Sequence, residues 1–381
     1  MKQVIKTFAL AGVAALALTA AARAEIKIGA TVSETGPAAF LGDPEAKTLK
    51  MLVEQINAAG GVKGEKIKLT VYDDGGDATK ARTFATRLIE EDGVVAIIGG
   101  SVTGAAMAVI PVAEEAKVPF IALAGAIEII DPVRPYTFKT PHTDRMACEK
   151  IFEDMKKRGF TKIGMISGTD GFGASMRKQC LDVASKAGVA VVADESYGPK
   201  DTDMTPQLTN IRSKSDVQAV LNPGFGQGPS IVTRNYHQLG VKIPFYQSHG
   251  VASDGFIKLA GAEAAEGVRL PSGALLIADI LPADDVQKKV VSDYKAQYEK
   301  AFKEPVSTFG GYAYDAVLIL VDAMKRAKSL KGPDIRDAIE GTQKLVGTTG
   351  VFSFSPKDHL GLDLTAFRML EIQKGGWTIA K

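Results

Sequence analysis

The 381-residue chain carries 46 Lys+Arg against 44 Asp+Glu, a formal net charge of +2. Three of the basic residues, Lys2, Lys6 and Arg23, fall in the first 24 positions, and without them the net is −1. Nothing in a near-neutral body of this kind calls for nucleic acid or an anionic membrane surface as a partner, and its length suits two domains of about 150 residues, each with enough apolar content for its own core.

The chain opens on Lys2 and Lys6, followed by a small and apolar run from Phe8 to Ala22 and then Ala22-Arg23-Ala24. Those small residues suit the −3 and −1 positions of a signal peptidase site. Residues 1–24 are therefore read as a cleaved export signal, with the mature chain starting at Glu25. The run falls short of the roughly 20 residues that cross a bilayer, and no cysteine stands at the cleavage point to take a lipid.

Strand-like and helix-like segments then alternate, the pattern of parallel strands with crossover helices. The first set reads as strand Ile26 to Val32, helix Pro44 to Ala58, strand Ile67 to Tyr72, helix Thr79 to Glu91, strand Val94 to Ile98, helix Gly104 to Ala116 and strand Pro119 to Leu123. Pro132, Pro135 and Pro141 interrupt any continuous helix. A second set follows: helix Arg145 to Arg158, strand Lys162 to Ile166, helix Gly173 to Ala187, strand Val189 to Val192, helix Met204 to Ser213, strand Val217 to Leu221, helix Ser230 to Leu239 and strand Pro244 to Gln247. The last third is mostly helical, at Asp284 to Phe302, Tyr312 to Ala327 and Pro333 to Gly341, with strands only at Phe352 to Phe354 and Ala366 to Ile372. Too few strands remain for a third sheet. The simplest packing returns these helices to the first set and the last strands to the second, so the chain crosses between two α/β lobes three times.

The two cysteines, Cys148 and Cys180, fall on predicted helices flanking one strand. Export permits them to pair. Whether they do stays open, because chain spacing does not show that the Cα atoms come within ~7 Å.

Catalytic patterns are thin. His142, His237, His249 and His359 are scattered, without HExxH spacing or a cysteine pair to complete a zinc site, and no GxxxxGK[ST] loop occurs. Gly168 to Gly173 (GTDGFG) and Gly224 to Gly228 (GFGQG) each join a strand to a helix without spelling the dinucleotide fingerprint. They read as turns lining a cleft at the carboxyl ends of strands. No catalytic residue, metal or cofactor is expected, and an exported α/β hydrolase or dehydrogenase is the distant alternative. The stretch Gly99 to Thr103 (GGSVT) is sharper, because a helix start there offers unpaired amides and a partial positive charge to a carboxylate. The competing role for Ser101 or Thr103 is a plain helix cap, worth about 1 kcal/mol.

Three segments, SETGPAAFLGD from Ser33, NAAGGVKGEKIKLTVYDDGGD from Asn57 and IIGGSVTGAAMAVIPVAEEAKVPFIALAGA from Ile97, stand in fixed order, with HGVASDGFIKLAG from His249 and GGYAYDAVLIL from Gly310. Together they resemble the periplasmic leucine/isoleucine/valine-binding protein family, the receptors of ABC importers. The resemblance implies two Rossmann-like lobes of the type I periplasmic binding fold, residues 25–143 with 272–355 and 144–271 with 356–381, joined by hinge crossings near Thr143, Pro271 and Pro356. It implies a ligand carboxylate at Thr103, with Ser101 nearby, backbone groups near Ala124 and Ala126 assisting, and walls at Leu41, Phe172 and Phe225. A periplasmic monomer delivering its ligand to a membrane permease follows from it, with no nucleic-acid partner. The family's usual first-lobe disulfide is absent, its positions being Gly76 and Val102.

Departures from the family bear on the ligand. Where the amino-acid receptors place an acidic residue for the ligand's ammonium, the aligned position is His249. Phe172 and Phe225 lack the family's hydroxyls, Ala126 has lost one too, and Leu41 replaces an aromatic ring. A stranded ammonium costs several kcal/mol. The expected ligand is therefore a hydrophobic carboxylate without an α-amine, most simply an aromatic acid, with His249 donating to it; Asp170 and Asp254 are the residues that would rescue an ammonium. Branched-chain or other hydrophobic amino acids are the alternative.

Overall fold

The computed structural model describes residues 25–381, so the export signal read at 1–24 lies outside the described residues. The first layer set contains β1 (Ile26–Val32), α1 (Ala39–Ala58), β2 (Ile67–Asp73), α2 (Ala78–Arg87), β3 (Ala96–Gly99), α3 (Thr103–Ala116), β4 (Phe120–Ala122) and β5 (Thr137–Lys139). Its five strands form one parallel sheet in the order β2-β1-β3-β4-β5. Register aligns Thr31, Gly99, Ala122 and Lys139 in one row across it. All four are at the carboxyl ends of their strands, the edge where open α/β sheets bind ligands.

The second set runs α4 (Asp144–Lys157), β6 (Lys162–Gly168), α5 (Gly171–Ala187), β7 (Ala190–Tyr197), α6 (Thr205–Arg212), β8 (Ala219–Asn222), α7 (Gln227–Gln238), β9 (Phe245–Gln247), α8 (Asp254–Ala260), α9 (Ala262–Ala265) and β10 (Arg269–Ser272). The chain then returns to the first sheet with α10 (Lys288–Phe302), α11 (Thr308–Arg326) and α12 (Gly332–Glu340), α11 packing along α1. After β11 (Leu345–Val346) and β12 (Val351–Phe352), it passes back to supply β13 (Arg368–Gln373) and β14 (Gly376–Ile379). The second sheet has the order β14-β13-β10-β9-β8-β6-β7, with β13 antiparallel to both its neighbours. The strand expected at Phe352 to Phe354 joins neither large sheet. It pairs instead with β11 in a two-stranded ribbon, because Gly347 to Gly350 folds the chain back on itself.

Two differences from the sequence reading matter for the site. Helix α1 begins at Ala39, not at Pro44, which lies inside it. The extra turn is fixed by packing: the Phe40 ring meets Phe309 edge-on at 5.6 Å between centroids and Phe225 at 6.2 Å. Gly42 then passes so close to Ser33 that a β-carbon there would lie 2.2 Å from its backbone, so only glycine fits. Helix α5 likewise begins at Gly171, capped by Asp170, whose Oδ1 accepts from the Phe172 and Gly173 amides at 2.9 and 3.0 Å.

Cys148 of α4 and Cys180 of α5 form a disulfide, their Cα atoms 5.1 Å apart. Closing a loop of 32 residues in the unfolded chain contributes about 3–4 kcal/mol on the loop-entropy scale.

Candidate functional site

Between the two sheets lies a cavity of about 40 Å³, lined by Leu41, Ser101, Val102, Thr103, Leu123, Ala124, Gly125, Pro141, Phe172, Phe225, His249, Gly250, Phe309 and Tyr312. Every wall is a loop or helix start at a strand's carboxyl end, or a residue of α1 or α11. Beyond Val102, Thr103, Phe172 and Phe225, which border both spaces, an outer mouth of about 650 Å³ opens past Gly36, Asp170, Tyr197 and Gln227. The two halves touch around the inner cavity: the Thr308 hydroxyl donates to the Ala252 carbonyl at 2.9 Å, and Lys178 pairs with Glu128 at 3.2 Å.

Thr103 is the first residue of α3, and the cap position belongs to Val102, which makes no side-chain cap bond. The Thr103 hydroxyl is buried with no hydrogen-bond partner. Among the described residues, the amides of Thr103, Gly104 and Ala105 donate to no protein acceptor. A buried hydroxyl and a helix start left open in this way are short of an acceptor, and an anionic group supplies one. Ser101 borders the same wall, but its oxygen is engaged, accepting from the Ser33 amide at 3.0 Å and donating to Glu45 Oε2 at 2.5 Å.

The opposite wall is aromatic. Phe172 meets Phe225 edge-to-face at 6.1 Å, and the His249 ring stands edge-on to Phe172 at 5.4 Å. His249 is buried with its Nδ1 unpartnered. Burial, with His142 and Lys139 nearby, pushes it well below the ordinary imidazole range, so it is neutral at pH 7. A neutral imidazole donates from one nitrogen and accepts at the other.

Ala124 lines the cavity, whereas Ala126 stands one step behind it and the wall is completed by Gly125. A β-carbon at Gly125 would sit 2.9 Å from His249 Nε2 and 2.9 Å from the Phe172 ring, so the halves close only over glycine here. Of the two carboxylates weighed as ammonium partners, Asp170 caps α5 at the outer mouth and Asp254 accepts from Trp377 Nε1 at 2.8 Å. Neither lines the inner cavity. Among the described residues, that lining holds no Asp, Glu, Lys or Arg, and no group of His, Cys, Asp and Glu is arranged to hold a metal.

Two charged residues directly behind the walls escape the sequence reading. Glu45 is buried under Ser101, and burial holds its carboxyl well above the ordinary range, the Ser101 bond pulling it down and Asp74 pushing it up. Lys139 is buried behind Gly125. The signal for Glu45 was an acid spaced with Leu41, Leu49 and Leu52 on the apolar face of a helix; Lys139, at the end of a three-residue strand, gave none.

Residues 25–376 match the family described as periplasmic binding protein. The chain belongs to the periplasmic binding protein family. Within that family its relatives are of the leucine/isoleucine/valine-binding kind. It is 27% identical over 360 residues to the Leu/Ile/Val-binding protein homolog 7 of Brucella abortus (strain 2308), covering 89% of this chain and 87% of that one. Among solved structures, an extracellular ligand-binding receptor from Rhodopseudomonas palustris HaA2 superposes with a TM-score of 0.87 at 30% identity, covering 94% of this chain and all of that one. The branched-chain amino acid transporter substrate-binding protein LivJ from Streptococcus pneumoniae, solved with isoleucine, gives 0.82 at 25% identity over 94% of this chain. The protein is thus a periplasmic binding protein, and its relatives are named as binding proteins of the branched-chain amino acid transporter type.

Proposed function

We propose that this binding protein captures a small hydrophobic carboxylate lacking an α-amine, an aromatic acid being the simplest case, and delivers it as a soluble monomer to its permease. The carrying observation is the charge pattern of the inner cavity: amides and the unpartnered Thr103 hydroxyl on one side, aromatic rings on the other, and no carboxylate in the lining for an ammonium. The ligand carboxylate accepts from Thr103 and the start of α3. Its apolar body packs against Phe172 and Phe225, and His249 donates to a polar group. Residues 25–143 with 272–355 and 144–271 with 356–381 act as two hinged lobes, and the ligand favours the closed state by touching both. Release into the periplasm follows cleavage of residues 1–24.

A branched-chain amino acid is the second reading, favoured by the names of the relatives and by the isoleucine in the Streptococcus pneumoniae protein. It requires a carboxylate to meet the ammonium, and Glu45 lies behind Ser101, its carboxyl raised well above the ordinary range by burial. Calorimetric titration with benzoate and phenylacetate beside leucine and valine separates the two. Acid binding without leucine binding is the expected result, and tight leucine binding without acid binding overturns the proposal.

A further inference from the structure

Lys139 ends β5, in the row of strand ends that carries the ligand site. Its side chain is wholly buried, and its ammonium donates to the carbonyl oxygens of Gly125 at 2.9 Å, His142 at 3.3 Å and Ala126 at 3.4 Å. Gly125 is itself cavity wall, so one peptide separates the ammonium from the ligand space. We propose that Lys139 is a positioning and charge-selecting residue of this site: it holds the 125–126 loop by its carbonyls, favours an anionic occupant, and takes up a proton when that occupant binds. The inference rests on the carboxylate reading above and adds to it the residue that sets the sign of charge.

Loop and lysine are arranged for this. Because a peptide plane points its C=O and N–H in opposite directions, drawing the Gly125 oxygen onto Lys139 turns the Ala126 N–H away from the ammonium. Among the described residues, the amides of Ala124, Gly125 and Ala126 have no protein acceptor. The other end of the loop is fixed by Asp144, whose Oδ1 accepts from the Ile127 amide at 2.9 Å and whose Oδ2 accepts from Ser175 at 2.5 Å.

The surrounding groups make the charge responsive. Burial lowers Lys139 to about 7, with Asp144 of α4 the charge that holds it up. No carboxylate among the described residues comes within ion-pair distance of it. His142 and His249, the latter from the second sheet's side, are neutral and buried; His359 accepts the Lys139 amide on its carbonyl at 3.2 Å, and Arg368 of β13 acts on His142. A carboxylate arriving beyond Gly125 stabilises the protonated lysine. In an effective dielectric of ~20, a unit charge several ångströms away is worth roughly a ten- to hundredfold change in affinity. The sign follows: in the empty protein Lys139 gives up its proton as pH rises through about 7, and a bound carboxylate holds that proton, so binding takes up a proton and affinity falls as pH rises beyond about 7.

Lys139→Gln keeps donors for the carbonyl cage and removes the charge, and Lys139→Met removes both. Titration of benzoate into the full mature chain, in two buffers of different ionisation heat from pH 6.5 to 9, reads proton uptake directly, and carbon-detected NMR of the lysine side chain reads Lys139 itself. The expected result is proton uptake above pH 7 by the unsubstituted protein, a Lys139 titration moving upward on binding, and roughly tenfold or weaker benzoate binding at pH 7 by Lys139→Gln with a flat pH profile. Benzoate binding with no proton uptake, or an unaltered profile in Lys139→Gln, overturns this inference and leaves the carboxylate reading standing. Failure of benzoate and phenylacetate to bind the unsubstituted protein overturns both.

Discussion

Phe172 and Phe225 come from different strand-to-helix turns of the second sheet and meet edge-to-face on one wall of the cavity, their centroids 6.1 Å apart and their planes at 87°. Phe225 also reaches Phe40 of α1, on the other side of the cleft, at 6.2 Å. The same ring thus walls the ligand space and joins the two halves. Phe225→Ala is expected to weaken benzoate binding by about 1.5–3 kcal/mol, the scale of losing one buried aromatic contact. Unfolding should change much less, because Phe225 is only partly buried. Calorimetry beside thermal unfolding checks both, and an unchanged affinity removes Phe225 from the site.

The fold was legible wherever a segment carried its own period. Strands such as Ile26–Val32 and helices such as α3 follow from β-branched runs and apolar spacing. β5 and β10 were not legible. The first is three residues long among prolines, and the second contains Pro271, which reads as a breaker yet sits opposite Met369 on β13. The site divides in the same way. A helix start after GGSVT is a local pattern and places Thr103. Gly125 lines the cavity, with Lys139 and Glu45 behind its walls, because adjacent strand ends of the first sheet bring separate loops together, and no local period encodes that proximity.

Thr103 provides the most direct test of where the carboxylate sits. Its hydroxyl is buried, unpartnered and free of any capping duty. Thr103→Val keeps the shape and the start of α3 while deleting the donor. A hydrogen bond to a charged group is worth about 1.5–3 kcal/mol, so benzoate affinity should fall by roughly ten- to a hundredfold. The empty protein should be no less stable, since an unmet polar atom leaves its core. Equal affinity would place the carboxylate elsewhere.

The proposed function gives His249 a part in choosing the solute. Its position bears no charge, and Lys139 and His142 both disfavour one there. His249→Asp puts a carboxylate on the wall, where it repels an anionic ligand and offsets the charge of Lys139. Benzoate binding should weaken at least tenfold and leucine binding should appear, a change of preference produced by one repulsive and one attractive element. Competition between the two ligands measures it, and a variant that keeps the parent's preference shows that His249 does not set specificity.

The buried histidines also fix how the empty protein responds to acid. His142 is wholly buried, its ring stacked on Phe367 at 3.7 Å, and burial lowers it to about 3. His249 is shifted in the same direction. In the unfolded chain both titrate near 6.5. Below that pH the unfolded state takes up protons that the folded state refuses, so the stability they contribute is complete above pH 6.5 and is lost as pH falls toward 3. Each histidine contributes a slope of up to ~1.4 kcal/mol per pH unit in that window. Denaturant unfolding between pH 7.5 and 4.5 should therefore show stability falling with acid, and His142→Phe should reduce the slope by about half of the two-histidine share. A slope unaffected by His142→Phe would mean that the ring is protonated inside the folded protein, which requires water or an anion beside Phe367.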